Sequence, residues 1–160
     1  MKRIVIFASG SGTNAENLIT YFKNRTHASV IQAFSQTDDV LNILKANDPD
    51  LIVLAGFLWK FPEFILNEFP NKVINIHPAL LPKYGGKGMY GNHVHEAIVN
   101  NKETETGITI HYVNEHYDAG AIIFQAKCKV LPTDTAQHVA ANIHKLEMEH
   151  FPKVVEKLLK

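Results

Sequence analysis

The sequence has few of the features that mark secreted, membrane-bound or nucleic-acid-binding proteins. Its single cysteine, Cys128, excludes an internal disulfide framework. Lysine plus arginine and aspartate plus glutamate both number 16, so no net charge attracts nucleic acid or an anionic membrane. No apolar run reaches the length of a membrane span, and the one in MKRIVIFASG is too short for a signal peptide. We therefore expect a cytoplasmic protein that acts on small molecules, without nucleic-acid, membrane or metal partners.

The pattern of apolar residues alternates between strands and helices. Apolar runs rich in β-branched residues predict buried strands at Arg3–Ala8, Leu51–Ala55, Lys72–His77, Thr109–Val113 and Ala121–Val130. Helical spacing predicts helices at Asn14–Asn24, Thr37–Asn47, Phe61–Phe69, His93–Asn101 and Asp134–Lys160, with Pro152 interrupting or restarting the last one. This order predicts an α/β protein with a mostly parallel, Rossmann-like open sheet and helices on both faces. The final strand pair is either antiparallel or joined by a loop. A length of 160 residues suits one domain over residues 1–160.

The strand KVINIH carries an amide and an imidazole at its carboxyl end. Asn75 and His77 are two residues apart, so both side chains leave the same face of the strand. Ligands bind at the carboxyl ends of strands in open α/β sheets. An asparagine can stabilise an oxyanion, and a histidine can transfer a proton near neutral pH. The alternative is that Asn75 caps the strand and His77 is a core histidine.

A glycine turn follows the first strand. Gly10–Ala15 reads GSGTNA and joins a strand to a helix, which aims backbone N–H groups at an anion. No acidic residue occurs about 20 residues later, where a dinucleotide site expects one. The loop therefore favours a single phosphate group over a dinucleotide or a simple turn.

A carboxylate lies in a second loop, Asn114–Gly120. Asp118 could hydrogen-bond His77, fix its tautomer and raise its pKa, which would give an acid/base pair. Taken alone, Asp118 is better explained as a turn residue, because Asp before small residues favours turns. His111, in the preceding strand, is either a core histidine or a partner of that pair.

Taken together, these segments resemble the phosphoribosylglycinamide formyltransferase family, folate-dependent enzymes of purine synthesis. The resemblance runs through ASGSGTNAENL, IVLAGFLWKF, INIHPALLPKYGG, ETGITIHYVNEHYDAGAIIFQA and HKLEMEHFP. It implies a formyltransferase fold, 10-formyltetrahydrofolate as co-substrate, glycinamide ribonucleotide as acceptor, no metal, and a monomer or homodimer.

The resemblance also implies a role for each matching residue. Asn75, His77 and Asp118 match the catalytic trio. Gly12, Thr13 and Asn14 match the loop that binds the substrate phosphate, and Glu147 matches a glutamate that contacts its ribose, with His144 one turn earlier. The folate-binding positions are Leu58, Trp59, Lys60 and Phe61, together with Asn75. The implied reaction is direct attack of the glycinamide amine on the formyl carbon, with Asn75 and His77 stabilising the oxyanion and His77 as proton donor.

The chain departs from the family pattern in two places. The N-terminal half lacks one strand–helix unit, which the family places between Val30 and the strand IQAFS. Either the unit is deleted, or residues of a longer native polypeptide are absent from this sequence near Val30/Ile31 and Ser35/Gln36. The loop Lys83–Asn92 is unusually rich in glycine and suits a lid over the cleft.

Other functions remain open on the sequence. A formyltransferase for methionyl-tRNA or a nucleotide sugar would share the Asn–His–Asp trio, but usually lacks the GSGTN loop. A hydrolase of formyltetrahydrofolate would share the trio as well. A regulatory nucleotide-binding module would use the glycine loop without the trio.

Overall fold

The structure, a computed structural model, describes residues 1–35 and 40–160. Six strands and five helices occur in these residues. The strands are β1 (Lys2–Phe7), β2 (Ala28–Phe34), β3 (Leu51–Leu54), β4 (Val73–His77), β5 (Glu105–Tyr112) and β6 (Ile122–Lys129). The helices are α1 (Thr13–Phe22), α2 (Val40–Asn47), α3 (Glu63–Glu68), α4 (Asn92–Asn100) and α5 (Ala136–Leu158). The first three residues of the helix predicted at Thr37–Asn47 lie outside the described residues.

The strands form one open sheet in the order β2-β1-β3-β4-β5-β6. The pairs β1–β2, β1–β3 and β3–β4 are parallel, whereas β4–β5 and β5–β6 are antiparallel. The mostly parallel α/β sheet predicted from the sequence is therefore confirmed. The final strand pair, for which two arrangements were open, is an antiparallel hairpin.

Alternating side chains of the central strands build one core on each face of the sheet. Ile4 and Ile6 of β1 point into a core with α1, α4 and α5, whereas Val5 and Phe7 point into a second core with α2 and α3. A strand that is buried on both faces reads as a continuous apolar run, which explains the sequence of β1. Helices therefore cover both faces, as predicted.

The prediction that Pro152 interrupts the last helix is wrong, because α5 runs through it without a break. A proline inside a helix has no N–H for the carbonyl four residues earlier. Here that carbonyl belongs to Met148, and the Nδ2 of Asn17 in α1 donates to it at 3.1 Å. The orphaned acceptor is thus satisfied by a neighbouring helix, and Pro152 itself is buried.

The strand β2 contains the position where the family pattern places an additional unit. Its pairing with β1 shifts by one residue, from Ile4↔Val30 to Val5↔Gln32, so Ile31 is the extra residue of a bulge. The strand predicted as IQAFS thus begins earlier, at Ala28. The described strand passes through the junction as an edge strand.

No helix among residues 1–35 and 40–160 is long and apolar enough to cross a membrane.

Candidate active site

The predicted site residues line a single cleft of about 800 Å3 at the edge of the sheet where β1, β3 and β4 end. The cleft contains all members of the predicted set: Gly12, Thr13, Asn14, Leu58, Trp59, Lys60, Phe61, Asn75, His77, Asp118 and Glu147. Parallel strands bring their carboxyl ends to the same edge, so the loops after β1, β3 and β4 meet there. The sequence places these residues in separate segments, and the parallel topology brings them together.

Asn75 and His77 lie on one face of β4, opposite the apolar side chains of Ile74 and Ile76. On the antiparallel neighbour β5, His111 pairs with Asn75 and Thr109 pairs with His77. These four polar side chains therefore share a face. The two strands thus bury apolar side chains on one face and carry these polar side chains on the other.

Asp118 lies between the two histidines. Its Oδ2 is 3.5 Å from His77 Nδ1, and its Oδ1 is 3.6 Å from His111 Nε2. The strand β5 runs opposite to β4, so the loop Asn114–Gly120 folds back to bring Asp118 to His77. Asp118 also adopts a left-handed conformation, with φ of 52°. Such a conformation persists when surrounding contacts hold it, and it is common at functional sites.

Backbone acceptors fix the tautomers of both histidines. His77 Nε2 donates to the carbonyl of Tyr84 at 2.7 Å, so the neutral ring turns its bare Nδ1 toward Asp118. His111 Nδ1 donates to the carbonyl of Tyr112 at 2.8 Å, which leaves Nε2 to accept from Asn75 Nδ2 at 3.2 Å. His111 is thus a partner of the trio and orients the Asn75 amide. The sequence left this role open, since only strand pairing places His111 opposite Asn75.

Burial and charge act in opposite directions on the trio. Burial lowers the pKa of His77, which is only 4% exposed, and the carboxylate of Asp118 and the carbonyl of Tyr84 raise it less strongly. The predicted effect of Asp118 is present, but burial outweighs it, so the net direction differs from the prediction. Burial raises the pKa of Asp118, but the neighbouring His111, the charge of His77 and the Gly86 N–H together lower it.

The glycine-rich loop after β4 is tied to the same centre. The Gly86 N–H donates to Asp118 Oδ2 at 2.9 Å, and the Tyr84 carbonyl accepts from His77. At Gly85, a Cβ atom would lie 2.5 Å from Leu81 Cδ2 and 3.2 Å from Asp118 Cβ, so a side chain there would require Leu81 and Asp118 to shift. The first part of the predicted lid is therefore an integral wall of the site.

Ser9 joins the glycine turn to the predicted folate segment. The Leu58 N–H donates to Ser9 Oγ at 2.8 Å, and the Ser9 hydroxyl and N–H both reach the Gly56 carbonyl, at 3.4 and 3.3 Å. The sequence analysis did not single out Ser9, although it opens the glycine turn. The available signal was a serine just after β1, because β1 is adjacent to β3 in the sheet and the hydroxyl can therefore reach the loop after β3.

The glycine turn and α5 meet at the other side of the cleft. Gly12 has φ of 78°, a conformation that favours glycine, and it precedes α1. Asn14 is buried and its Oδ1 has no hydrogen-bond partner among the described residues. Burial raises the pKa of Glu147, whereas the neighbouring Asn14 side chain and the charge of His144, whose Nδ1 is 3.9 Å from Glu147 Oε2, lower it.

Within the residues that the structure describes, no three His, Cys, Asp or Glu side chains form a group that could hold a metal ion. The absence of a metal stays a prediction.

The sequence profile of the Formyl transferase family matches residues 38–155, so this chain belongs to that family. Within it, the chain is similar to the phosphoribosylglycinamide formyltransferase of Bacillus subtilis (strain 168), which is 30% identical over 193 aligned positions covering 99% of this chain and 95% of the relative. It is also 38% identical, over 76% of its length, to the chloroplastic enzyme of Arabidopsis thaliana, but spans only 43% of that relative. The crystal structure of the Anaplasma phagocytophilum enzyme superposes with a TM-score of 0.86 at 30% identity, covering 98% of this chain and 86% of that one.

These comparisons confirm the resemblance found in the sequence. They also bear on the missing unit, because an alignment of 193 positions is longer than the 160 residues of this chain. The Bacillus protein thus contains residues with no counterpart here, as the family pattern predicted.

Proposed function

We propose that this chain is a phosphoribosylglycinamide formyltransferase that transfers the formyl group of 10-formyltetrahydrofolate to the amine of glycinamide ribonucleotide. The observation that carries this proposal is the convergence of Asn75, His77 and Asp118 in the cleft that also contains the glycine turn. A phosphate-binding turn beside an oxyanion donor and an acid/base pair suits acyl transfer to a phosphorylated amine. We further propose that residues 1–160 act as one formyltransferase domain and that the protein is cytoplasmic.

The Asn75 amide is positioned to stabilise the developing negative charge. One N–H of Asn75 donates to His111, which leaves the second N–H for the oxyanion formed when the amine attacks the formyl carbon. Asn75 is half-buried, so water screens this interaction less than it would at an exposed site. His111 holds the amide in place before the reaction starts.

His77 is positioned to deliver a proton. The tetrahedral intermediate collapses when the bond from the formyl carbon to N10 of the folate breaks, and N10 must then receive a proton. Protonated His77 keeps both ring nitrogens partnered, by the Tyr84 carbonyl and by Asp118. Because burial lowers the pKa of His77, Asp118 is needed to make this form accessible. The proton of the attacking amine passes to water.

The loop after β3 suits the folate. Trp59 is 68% exposed and lines the cleft, whereas the Phe61 side chain is buried in the core against Phe7 and contributes there to packing. The Leu58 N–H already donates to Ser9 Oγ. The backbone group of Leu58 that is left to bind the pterin is therefore its carbonyl. Lys60 is held by Glu63 at 2.8 Å. The glycine turn and Glu147 then serve the phosphate and ribose of the acceptor.

The direct test mixes the purified protein with glycinamide ribonucleotide and 10-formyltetrahydrofolate and follows the release of tetrahydrofolate. Release that depends on the glycinamide supports the proposal. Release without it would identify a formyltetrahydrofolate hydrolase instead, and no release would contradict both. Trp59 is the only tryptophan of the chain, so a change in its fluorescence on adding the folate reports binding separately from turnover.

A further inference from the structure

We propose that Lys87, on the glycine-rich loop after β4, binds the phosphate group of the acceptor substrate. The inference rests on the proposed function and assigns a residue that neither the family resemblance nor the catalytic trio includes. It starts from the distribution of charge in the cleft.

The phosphate-binding turn has no cation of its own. Residues 10–14 read GSGTN, so a bound phosphate receives only N–H and hydroxyl donors and the positive end of α1. From α5, the carboxylate of Glu147 lines the same cleft as the turn and lies close enough to Asn14 for its pKa to be affected. A dianion in this environment meets partial positive charges on one side and a carboxylate on the other. It needs an additional positive charge.

The cleft offers two side chains of fixed positive charge, Lys60 and Lys87, among the described residues. Lys60 Nζ is 2.8 Å from Glu63 Oε1, which neutralises it. Lys87 has no carboxylate within ion-pair distance in residues 1–35 and 40–160. Its loop neighbour Lys83 is paired with Glu103 at 3.0 Å and does not line the cleft. Lys87 is therefore the fixed cation of the cleft that a substrate anion can pair with.

The backbone holds Lys87 over the cleft. Gly86 and Gly88 on either side have φ of 95° and 87°, which favour glycine. The Gly86 N–H is bonded to Asp118, so the residue directly before Lys87 is fixed to the catalytic centre. Lys87 and the glycine turn line the same cleft, and the long, flexible lysine stem lets the ammonium group move within it toward a bound phosphate.

Binding measured by calorimetry tests the assignment without requiring turnover. The ligands are glycinamide ribonucleotide and the corresponding riboside, which lacks the phosphate. The proteins are wild type, Lys87→Gln and the matched control Lys83→Gln, each checked for an unchanged melting temperature. We expect Lys87→Gln to weaken the ribonucleotide about tenfold or more, because a charge-assisted contact is lost, and to leave the riboside unchanged. Lys83→Gln should affect neither, and Lys87→Arg should retain most of the affinity.

Each other result overturns the assignment. Equal weakening of both ligands would mean that Lys87 acts on the shape of the loop rather than on phosphate. Unchanged ribonucleotide binding would refute the inference alone, provided that the wild type still transfers the formyl group. Weaker folate binding with normal ribonucleotide binding would place Lys87 at the folate carboxylates. A wild-type protein that binds no ribonucleotide would refute both this inference and the proposed function.

Discussion

Asn75 is the residue on which the proposed formyl transfer depends most directly, because its side-chain amide is proposed to stabilise the oxyanion. Removal of one oxyanion donor typically costs about a hundredfold to a thousandfold in kcat, so we expect at least about a hundredfold loss for Asn75→Ala. The loss should appear in kcat at saturating substrates. A variant that retains wild-type kcat would show that Asn75 has no such role. Melting curves of Asn75→Ala control for any structural effect of leaving His111 without its donor.

Asp118 should control the titration of His77. Its carboxylate raises the pKa of His77 against the larger effect of burial. Asp118→Asn removes this contribution, so the pKa of His77 should fall further and its protonated form should be confined to more acidic pH. The measurement is an NMR titration of the imidazole C–H signals in both proteins. Glu115→Gln, an exposed change in the same loop, is the matched control, and a raised His77 pKa in Asp118→Asn would contradict the geometry.

The same pKa shift makes folding depend on pH. A histidine whose pKa is lowered on folding resists protonation in the native state, so the unfolded chain binds more protons. The contribution of His77 therefore favours the folded state above the ordinary value of 6.5 and is lost as the pH falls below it.

The residues of the proposed catalytic trio could be singled out from the sequence because their local pattern is informative. Asn75 and His77 share a face in any extended strand, and Asp118 belongs to a motif with His111. The sequence could not establish which of these side chains contact one another. Asp118 touches both histidines, and His111 rather than solvent holds Asn75. That arrangement depends on the antiparallel register of β4 and β5, which involves residues far apart in the chain.

Among the secondary-structure elements, β5 holds the turn after β4 in place through one hydroxyl. Thr109 Oγ1 donates to the Ala79 carbonyl at 2.7 Å and accepts from the Leu81 N–H at 3.0 Å and from Gln125 Nε2 at 2.8 Å. Thr109 is fully buried, so water cannot replace these partners. The hydroxyl thus connects β5 with the turn after β4 and with β6.

Replacing Thr109 by valine keeps the shape and removes this connection. Each buried group left without a partner costs about 1–3 kcal/mol, so Thr109→Val should lower the free energy of unfolding by at least that amount. Denaturant unfolding measures the change, and Thr109→Ser, which keeps the hydroxyl, should lose less. Equal stability of the valine variant and wild type would refute this account.

The bounds of helices and strands were predicted well where the local spacing of apolar residues determines them. They were predicted poorly where a contact with a residue far away in the chain determines them. The bounds of β3 and α4 differ from the prediction by one residue. The continuity of α5 could not be predicted, because Asn17 of α1 supplies the donor that compensates for Pro152. Likewise β5 begins at Glu105, four residues before the predicted strand, since β6 pairs with that extension.

At the scale of the whole molecule, the junction in β2 where the family pattern places an additional unit lies outside the cleft lining. The sheet ends at β2, whereas the predicted site residues come from the loops after β1, β3 and β5, from β4, from the start of α1 and from α5. A chain of these 160 residues has a mass of 18.0 kDa. A larger mass on the natural protein would show that it contains a further segment.

If the 18.0 kDa chain is complete in this region, an insertion should be tolerated at the bulge. The additional residues of the Bacillus relative, placed between Val30 and Ile31, would cover the β2 edge and bury more apolar surface. We expect a higher melting temperature with unchanged kcat. A loss of kcat in a folded insertion variant would mean that β2 influences the cleft.

We expect the hydroxyl of Ser9 to make binding of the two proposed substrates thermodynamically interdependent. It is bonded to Gly56 and Leu58 of the loop proposed for folate, while its own backbone leads directly into the turn proposed for phosphate. A ligand that orders one loop therefore lowers the entropy cost of ordering the other. By linkage, the factor by which bound folate tightens the ribonucleotide must equal the factor by which bound ribonucleotide tightens folate. The cleft is thus expected to fill cooperatively, with a single serine setting the strength of that cooperativity.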